Sequence, residues 1–203
     1  MAGKIRERTL RDEIRDSGET PSERPVDDSL DEHGYLAREF LSWLVYHADV
    51  EGGGFSGAGD VRPFTIQLGG RVALRTLSGF VSDVTLKGSS PGASPELRYA
   101  LAGGLAVKET ELRLSLDGVL DPHGDERAYA FGLAADGFDL KRVQLPALLT
   151  EEDDDRAEER MALLAELDAA LEHAFAFFVA LRGRPSWKRT VVPAMRAWLT
   201  DGT

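Results

Sequence analysis

The residues of this chain that could do chemistry fall into four groups. Histidines stand at positions 33, 47, 123 and 173, too scattered to form an H-x-x-x-H zinc pair. The stretch DPHGDE gathers Asp121, His123, Asp125 and Glu126, a set of side chains that could surround a hard cation. Asp139 and Lys141 make a carboxylate-x-Lys triplet, with Asp117 and Asp121 upstream. Metal-dependent nucleases use such a set, the acids holding Mg²⁺ while the lysine orients water. Arg182, Arg184, Lys188, Arg189 and Arg196 occupy a stretch, residues 173 to 199, that contains no acid, and clustered cations of this kind can meet phosphate.

Simpler physical chemistry competes with each reading. Asp, Pro and Gly are the residues that tight turns select, which accounts for DPHGDE without a metal. The carboxylate-x-Lys triplet is short enough to arise by chance in a charged chain. No G-x-S-x-G nucleophile and no D-x-[DN]-x-[DN]-G calcium loop occurs, so neither a catalytic residue nor a cofactor is assigned. The absence of cysteine excludes disulfides, thiolate zinc sites and cysteine nucleophiles, and it suits a reducing cytoplasm. A formal charge of −11, from 35 acids against 24 bases, argues against a protein that coats nucleic acid over its whole surface. Phosphate contact would be confined to the basic C-terminal patch.

These groups must be positioned by elements legible in the apolar pattern. In and just before REFLSWLVYHAD, residues 38 to 49, Leu36, Phe40, Trp43, Leu44 and His47 make one helical stripe that Leu41 and Val45 widen to roughly 200°, about twice what a one-sided surface helix needs. Such a helix is packed on two sides or closes an oligomer. Phe40, Trp43, Leu44 and His47 are therefore candidates for a partner interface, a two-fold homodimer first among them. Five glycines in EGGGFSGAGD, residues 51 to 60, predict a flexible linker. From Arg62 the period becomes two. A hairpin turning at Gly69 and Gly70 is predicted, then a strand in GFVSDVTLKG, and a short helix capped by Ser94 and stopped by Gly103 and Gly104. LAVKETELRLSLDG follows, alternating with Glu111, Arg113 and Ser115 outward, then one or two further strands about Asp136 and Gly137. A long helix with Thr150 as its cap carries Leu164, Leu167, Leu171, Ala174, Phe175 and Phe178 on one face and Ala162, Ala165, Ala169, Ala176 and Ala180 on the other, which predicts neighbours on both sides. A last helix kinks or restarts at Pro193. Residues 1–33 bring charge without apolar mass and predict a mobile tail, with a short helix near Ile5 to Ile14. That N-terminus has no signal-peptide core, and no apolar run approaches the roughly 18 residues of a membrane span.

The expected fold is thus α+β: a mostly antiparallel sheet of five to six strands over residues 62–145, packed against one N-terminal helix and two C-terminal helices over residues 150–200. Residues 34–203 would form one domain, which bears no membrane partner.

Taken together, REFLSWLVYHAD, LKRVQLPALL, EEDDDRAEERMALLAELDAAL and FVALRGRPSWKRTVVPAMRAWL resemble, in that order over residues 35 to 200, the C-terminal half of recombination-associated proteins of the RdgC type, in the diverged form found in deltaproteobacteria. The resemblance implies a nucleoid-associated, cytoplasmic protein that forms a ring-like dimer, binds duplex DNA without sequence preference and restrains recombination. It transfers no catalytic residue. Two departures stand out: only some 33 residues, rich in charge, precede the aromatic helix, where the family has a large region, and the chain is acidic where the family has a basic channel. Three functions follow as expectations: a non-catalytic DNA-associated accessory protein; a protein-interaction module that kept the fold; and a metal-dependent nuclease.

Overall fold

Helix α1, Glu32–Val50, opens the part of the chain that the computed structural model describes, residues 32–76, 83–89, 92, 94–150 and 153–200. The tail expected over residues 1–33 lies almost wholly outside these described residues. α1 ends where Gly52 and Gly53 adopt φ of 77° and 68°, and the N–H groups of Glu51 and Gly53 both donate to the His47 carbonyl, at 3.0 and 3.1 Å. A Cβ on Gly53 would lie 2.0 Å from the Ile66 carbonyl oxygen, so only glycine lets the helix end abut the sheet. The glycine-rich stretch is therefore an ordered junction, in contrast to the linker expected from its composition.

Six strands follow: β1 Gly54–Phe55, β2 Phe64–Thr76, β3 Val84–Lys87, β4 Leu105–Leu120, β5 Glu126–Ala134 and β6 Leu140–Gln144. All pairings are antiparallel, in the order β1-β2-β4-β5-β6, and β3 pairs with β2 beyond the reach of β1. The hairpin expected at Gly69 and Gly70 does not form. β2 runs straight through both residues as a bulge, its register against β4 shifting between Leu68 and Val72. A Cβ on Gly69 would meet Glu111 of β4 at 2.8 Å, so the glycines serve close strand approach rather than chain reversal. Ser115, expected outward, is buried. The region after DPHGDE supplies two strands, joined through Gly137 (φ 78°) and Phe138 (φ 58°). The unusual backbone of Phe138 is held by packing of its ring on Phe40 and Phe175, at 5.7 and 5.3 Å.

Helix α2, Pro95–Ala102, starts as expected: Ser94 accepts the Leu97 N–H at 3.2 Å, and Gly103 ends the helix. Ahead of helix α3, Asp153–Arg182, Glu159 accepts from the Leu149 and Thr150 N–H groups and from the Thr150 hydroxyl at 2.6 to 3.1 Å; residues 151 and 152, which follow the expected Thr150 cap, lie outside the described residues. A π-helical turn, Trp187–Val191, leads into helix α4, Val192–Thr200. The α+β architecture is the one expected, and no described helix is long and apolar enough to cross a membrane.

One core joins these layers. Ala37, Phe40, Leu41 and the run Trp43 to His47 are all buried, together with Phe64, Ile66, Leu112, Leu114, Phe131 and Leu133 of the sheet and Leu167, Leu171, Ala174 and Phe178 of α3. Phe40 and Trp43 stand 6.0 Å apart, and both touch the Phe178 ring, at 5.5 and 5.4 Å. Phe40, Trp43, Leu171 and Phe178 thus share one core, as their spacing predicts. The hydroxyl of buried Tyr129 on β5 donates to Glu166 of α3; burial first, and that carboxylate second, push the phenol well above its usual range. The alanine face of α3 departs from expectation. Ala162, Ala165, Ala176 and Ala180 are exposed, because Glu158, Asp168 and Glu172 interleave them and favour water on that side. Replacing Trp43 with alanine leaves a large cavity between α1, β1 and α3. Denaturant unfolding should show a loss of about 3 to 5 kcal/mol.

Candidate nucleic-acid interface

The basic C-terminal segment is positioned by two tryptophans. After α3 the chain turns at Gly183, whose N–H bonds the Val179 carbonyl at 3.1 Å, and Trp187 packs edge-on against Phe178 at 5.6 Å. The π-helical turn comes just before Pro193. Proline has no N–H to donate, and its ring would crowd the carbonyl of Arg189 in a regular helix, so a wider turn accommodates it. Trp198 then packs on Tyr46 at 5.6 Å and donates its indole N–H to Asp49 at 2.7 Å, while Arg98 of α2 donates to the same carboxylate at 3.2 Å. Between and beside these anchors Arg184, Lys188, Arg189 and Arg196 are exposed, and none has an ion-pair partner among the described residues. Arg182 differs: its guanidinium bonds Glu39 at 2.6 Å and ties the end of α3 to α1, which removes it from a free cationic patch.

Phe40, Trp43, Leu44 and His47, the residues expected at a partner interface, are enclosed by the chain's own sheet and helices, each at most 6% exposed. The wide apolar arc of α1 is covered intramolecularly, so an interface on that face is corrected to core. His47 stacks on Trp43 at 4.8 Å, its Nδ1 lies 2.6 Å from a Glu51 carboxylate oxygen, and its Nε2 lies 3.2 Å from the Gly54 carbonyl. His173 contacts the Ser56 carbonyl at 2.9 Å. Both imidazoles fasten the glycine-rich junction rather than approach each other as ligands. His123 is exposed in the β4–β5 turn, and the side chain of His33 lies outside the described residues.

The nuclease cue comes apart in three dimensions. Asp121 sits in the β4–β5 turn, where its carboxylate accepts the N–H groups of His123 and Asp125 at 2.8 and 3.0 Å, the turn chemistry its neighbours predict. Asp117 accepts from the Thr65 hydroxyl at 3.4 Å. Asp139 and Lys141 belong to the opposite end of β5: Leu120 pairs with Glu126, whereas Leu140 pairs with Leu133, a separation along β5 of about 23 Å at roughly 3.3 Å per residue. A shared metal between them is geometrically excluded. Among the described residues no group of three or more His, Asp and Glu side chains is arranged to hold a metal ion.

Lys141 works elsewhere. With Arg71 and Arg142 it surrounds Glu109, at 3.3, 3.4 and 2.6 Å, on the sheet face away from the helices. Arg142 adopts φ 52° in the bulge of β6 and crosses β5 at Gly132, where a Cβ would stand 3.0 Å from its guanidinium nitrogen. Only strand register reveals this network, because Glu109 and Arg142 are far apart in sequence. No protein-family model matches the chain, and no curated protein matches it. Burial raises the Glu109 carboxyl, but hydrogen bonds from Arg142 and Lys141 outweigh that effect and hold it below the ordinary carboxylate range. A depressed carboxyl contributes stability that is present above its unfolded value and is lost as pH falls through its folded one. Glu109→Gln should therefore be less stable than the parent near neutrality, with the gap closing on acidification, as read from melting temperatures across pH.

Proposed function

We propose that the protein is a non-catalytic, DNA-associated accessory factor that holds duplex DNA by its phosphate backbone, without sequence preference, through Arg184, Lys188, Arg189 and Arg196. The observation that carries this reading is the state of those four cations: exposed, confined to one acid-free segment and without ion-pair partners among the described residues. The rigid anchoring of the segment by Trp187 and Trp198 supports it, since fixed cations lose less freedom on meeting phosphate. The resemblance of residues 35 to 200 to RdgC-type proteins supports the same reading, and with it a place on the nucleoid in the cytoplasm. The burial of Phe40, Trp43, Leu44 and His47 in the core takes away the apolar face on which a protein-interaction reading through α1 rested.

The charge of the rest of the chain sets the terms. With a net charge of −11, the protein as a whole disfavours DNA, so binding at this patch is modest and steeply dependent on salt. Four phosphate contacts give a slope of log affinity against log salt of about −3 to −4. Fluorescence anisotropy of a labelled duplex, titrated at several salt concentrations, reads this directly. The double variant Lys188→Glu, Arg189→Glu should roughly halve the slope and weaken binding at every salt concentration, equally for unrelated sequences. A duplex that stays unbound at low salt, or a variant that binds like the parent, would sink the proposal.

A further inference from the structure

The sheet face opposite the helices carries a second cationic site. Strand register aligns Gln67, Arg113, Ala130 and Gln144 in one row across β2, β4, β5 and β6. Gln67, Arg113 and Gln144 are exposed, and the guanidinium of Arg113 and both carboxamides have no partner among the described residues. Beside that row lie Gly69 and Gly70 of the β2 bulge and Gly132 of β5. These glycines carry no side chains of their own, and the face has there an open depression of about 380 Å³ edged by Glu111, Arg113, Arg142 and Gln144. That volume suits a ligand of mononucleotide size and is too small for the cross-section of a duplex.

Charge selects the ligand class. Arg71, Arg113, Lys141 and Arg142 stand on this face against Glu109 and Glu111, and the two carboxylates are already held by Arg71, Lys141 and Arg142. Arg113 is left without an ion-pair partner among the described residues, in a chain that is strongly acidic overall. A phosphate monoester supplies the anionic group that it lacks. Arg113 presents the forked donor geometry that phosphate oxygens accept, and the carboxamides of Gln67 and Gln144 add neutral donors and acceptors on either side. Phe131, the aromatic residue in the lining, is buried in the core, so no open ring face is offered and base stacking as in single-strand-binding sheets is not the mode of recognition. We infer that the open sheet face binds a small phosphate monoester of mononucleotide size, with Arg113 as its principal phosphate ligand.

This site is independent of the C-terminal patch, which belongs to the helical layer. Isothermal titration of the full chain with adenosine 5′-monophosphate tests it, with inorganic phosphate, succinate and a short DNA duplex as separate arms. Saturable binding of the monophosphate at one site per chain is expected, with succinate weaker. Inorganic phosphate binding as tightly as the nucleotide would assign the site to free phosphate, and weaker binding would assign it to the ester. Arg113→Gln, an exposed change that leaves the melting temperature in place, should lower affinity about tenfold or more. Lys188→Glu, Arg189→Glu should leave it unchanged. Absence of saturable binding by either phosphate ligand, or equal affinity in Arg113→Gln, would overturn the assignment. So would displacement of the nucleotide by duplex that persists in the Lys188, Arg189 variant, which would give the face to nucleic acid instead.

Discussion

Enclosure of the aromatic girdle of α1 is the constraint on which the rest of this structure depends. A helix with an apolar arc of roughly 200° cannot lie on a sheet with its back to water, because the uncovered half would expose several large side chains at about 1.5 to 3 kcal/mol each. The chain answers with aromatic contacts on several sides. Trp43 meets Phe55 of β1 and Phe178 of α3, Phe40 meets Phe138 of the β5–β6 turn, and Tyr46 meets Trp198 of α4. Each of those partners in turn fixes something else. Phe55 brings the glycine-rich junction onto β2, Phe138 is held in a left-handed backbone conformation, and Trp198 locates the last helix. The cationic segment is where it is because α1 needs a lid.

Polar groups refine what the apolar contacts begin. Asp49, near the end of α1, accepts from both Trp198 and Arg98, so one carboxylate joins α1, α2 and α4. Arg98 also lies 5.6 Å from the Trp198 ring. On the far side of the sheet, Glu109 organises Arg71, Lys141 and Arg142 in a comparable way. Ion pairs of this kind at a protein surface contribute little to stability singly, and their weight lies in setting where cations point. They leave Arg113 on one layer and Lys188, Arg189 and Arg196 on the other free of internal partners among the described residues. The two anion sites proposed for this acidic protein thus lie on separate layers.

Much of this architecture was legible in the residues. The period-two run of Leu112, Leu114 and Leu116, the Ser94 cap and the shared core of Phe40, Trp43, Leu171 and Phe178 follow from local pattern alone. What could not be read depends on register. Gly69 and Gly70 have the composition of a hairpin turn, and only the nearness of Glu111 across the ladder shows that they are a bulge. The glycines of residues 52–54 look like a linker until Ile66 is placed against Gly53. The carboxylate-x-Lys cue failed for the same reason, since sequence distance hid the length of β5 between Asp121 and Asp139. The site on the open sheet face was invisible for the converse reason: Gln67, Arg113 and Gln144 are unremarkable until strand pairing sets them in one row.

The chain covers the apolar arc of α1 by itself. Amide hydrogen exchange of the full protein, followed by mass spectrometry over a range of protein concentrations, tests this most directly, because amides that open only with global unfolding exchange at a rate set by the chain's own stability. Residues 40–47 are expected to be among the slowest to exchange, with protection that does not change with concentration. Protection of that segment that rises with concentration, or fast exchange in dilute protein, would show that a second chain supplies the cover and would contradict it.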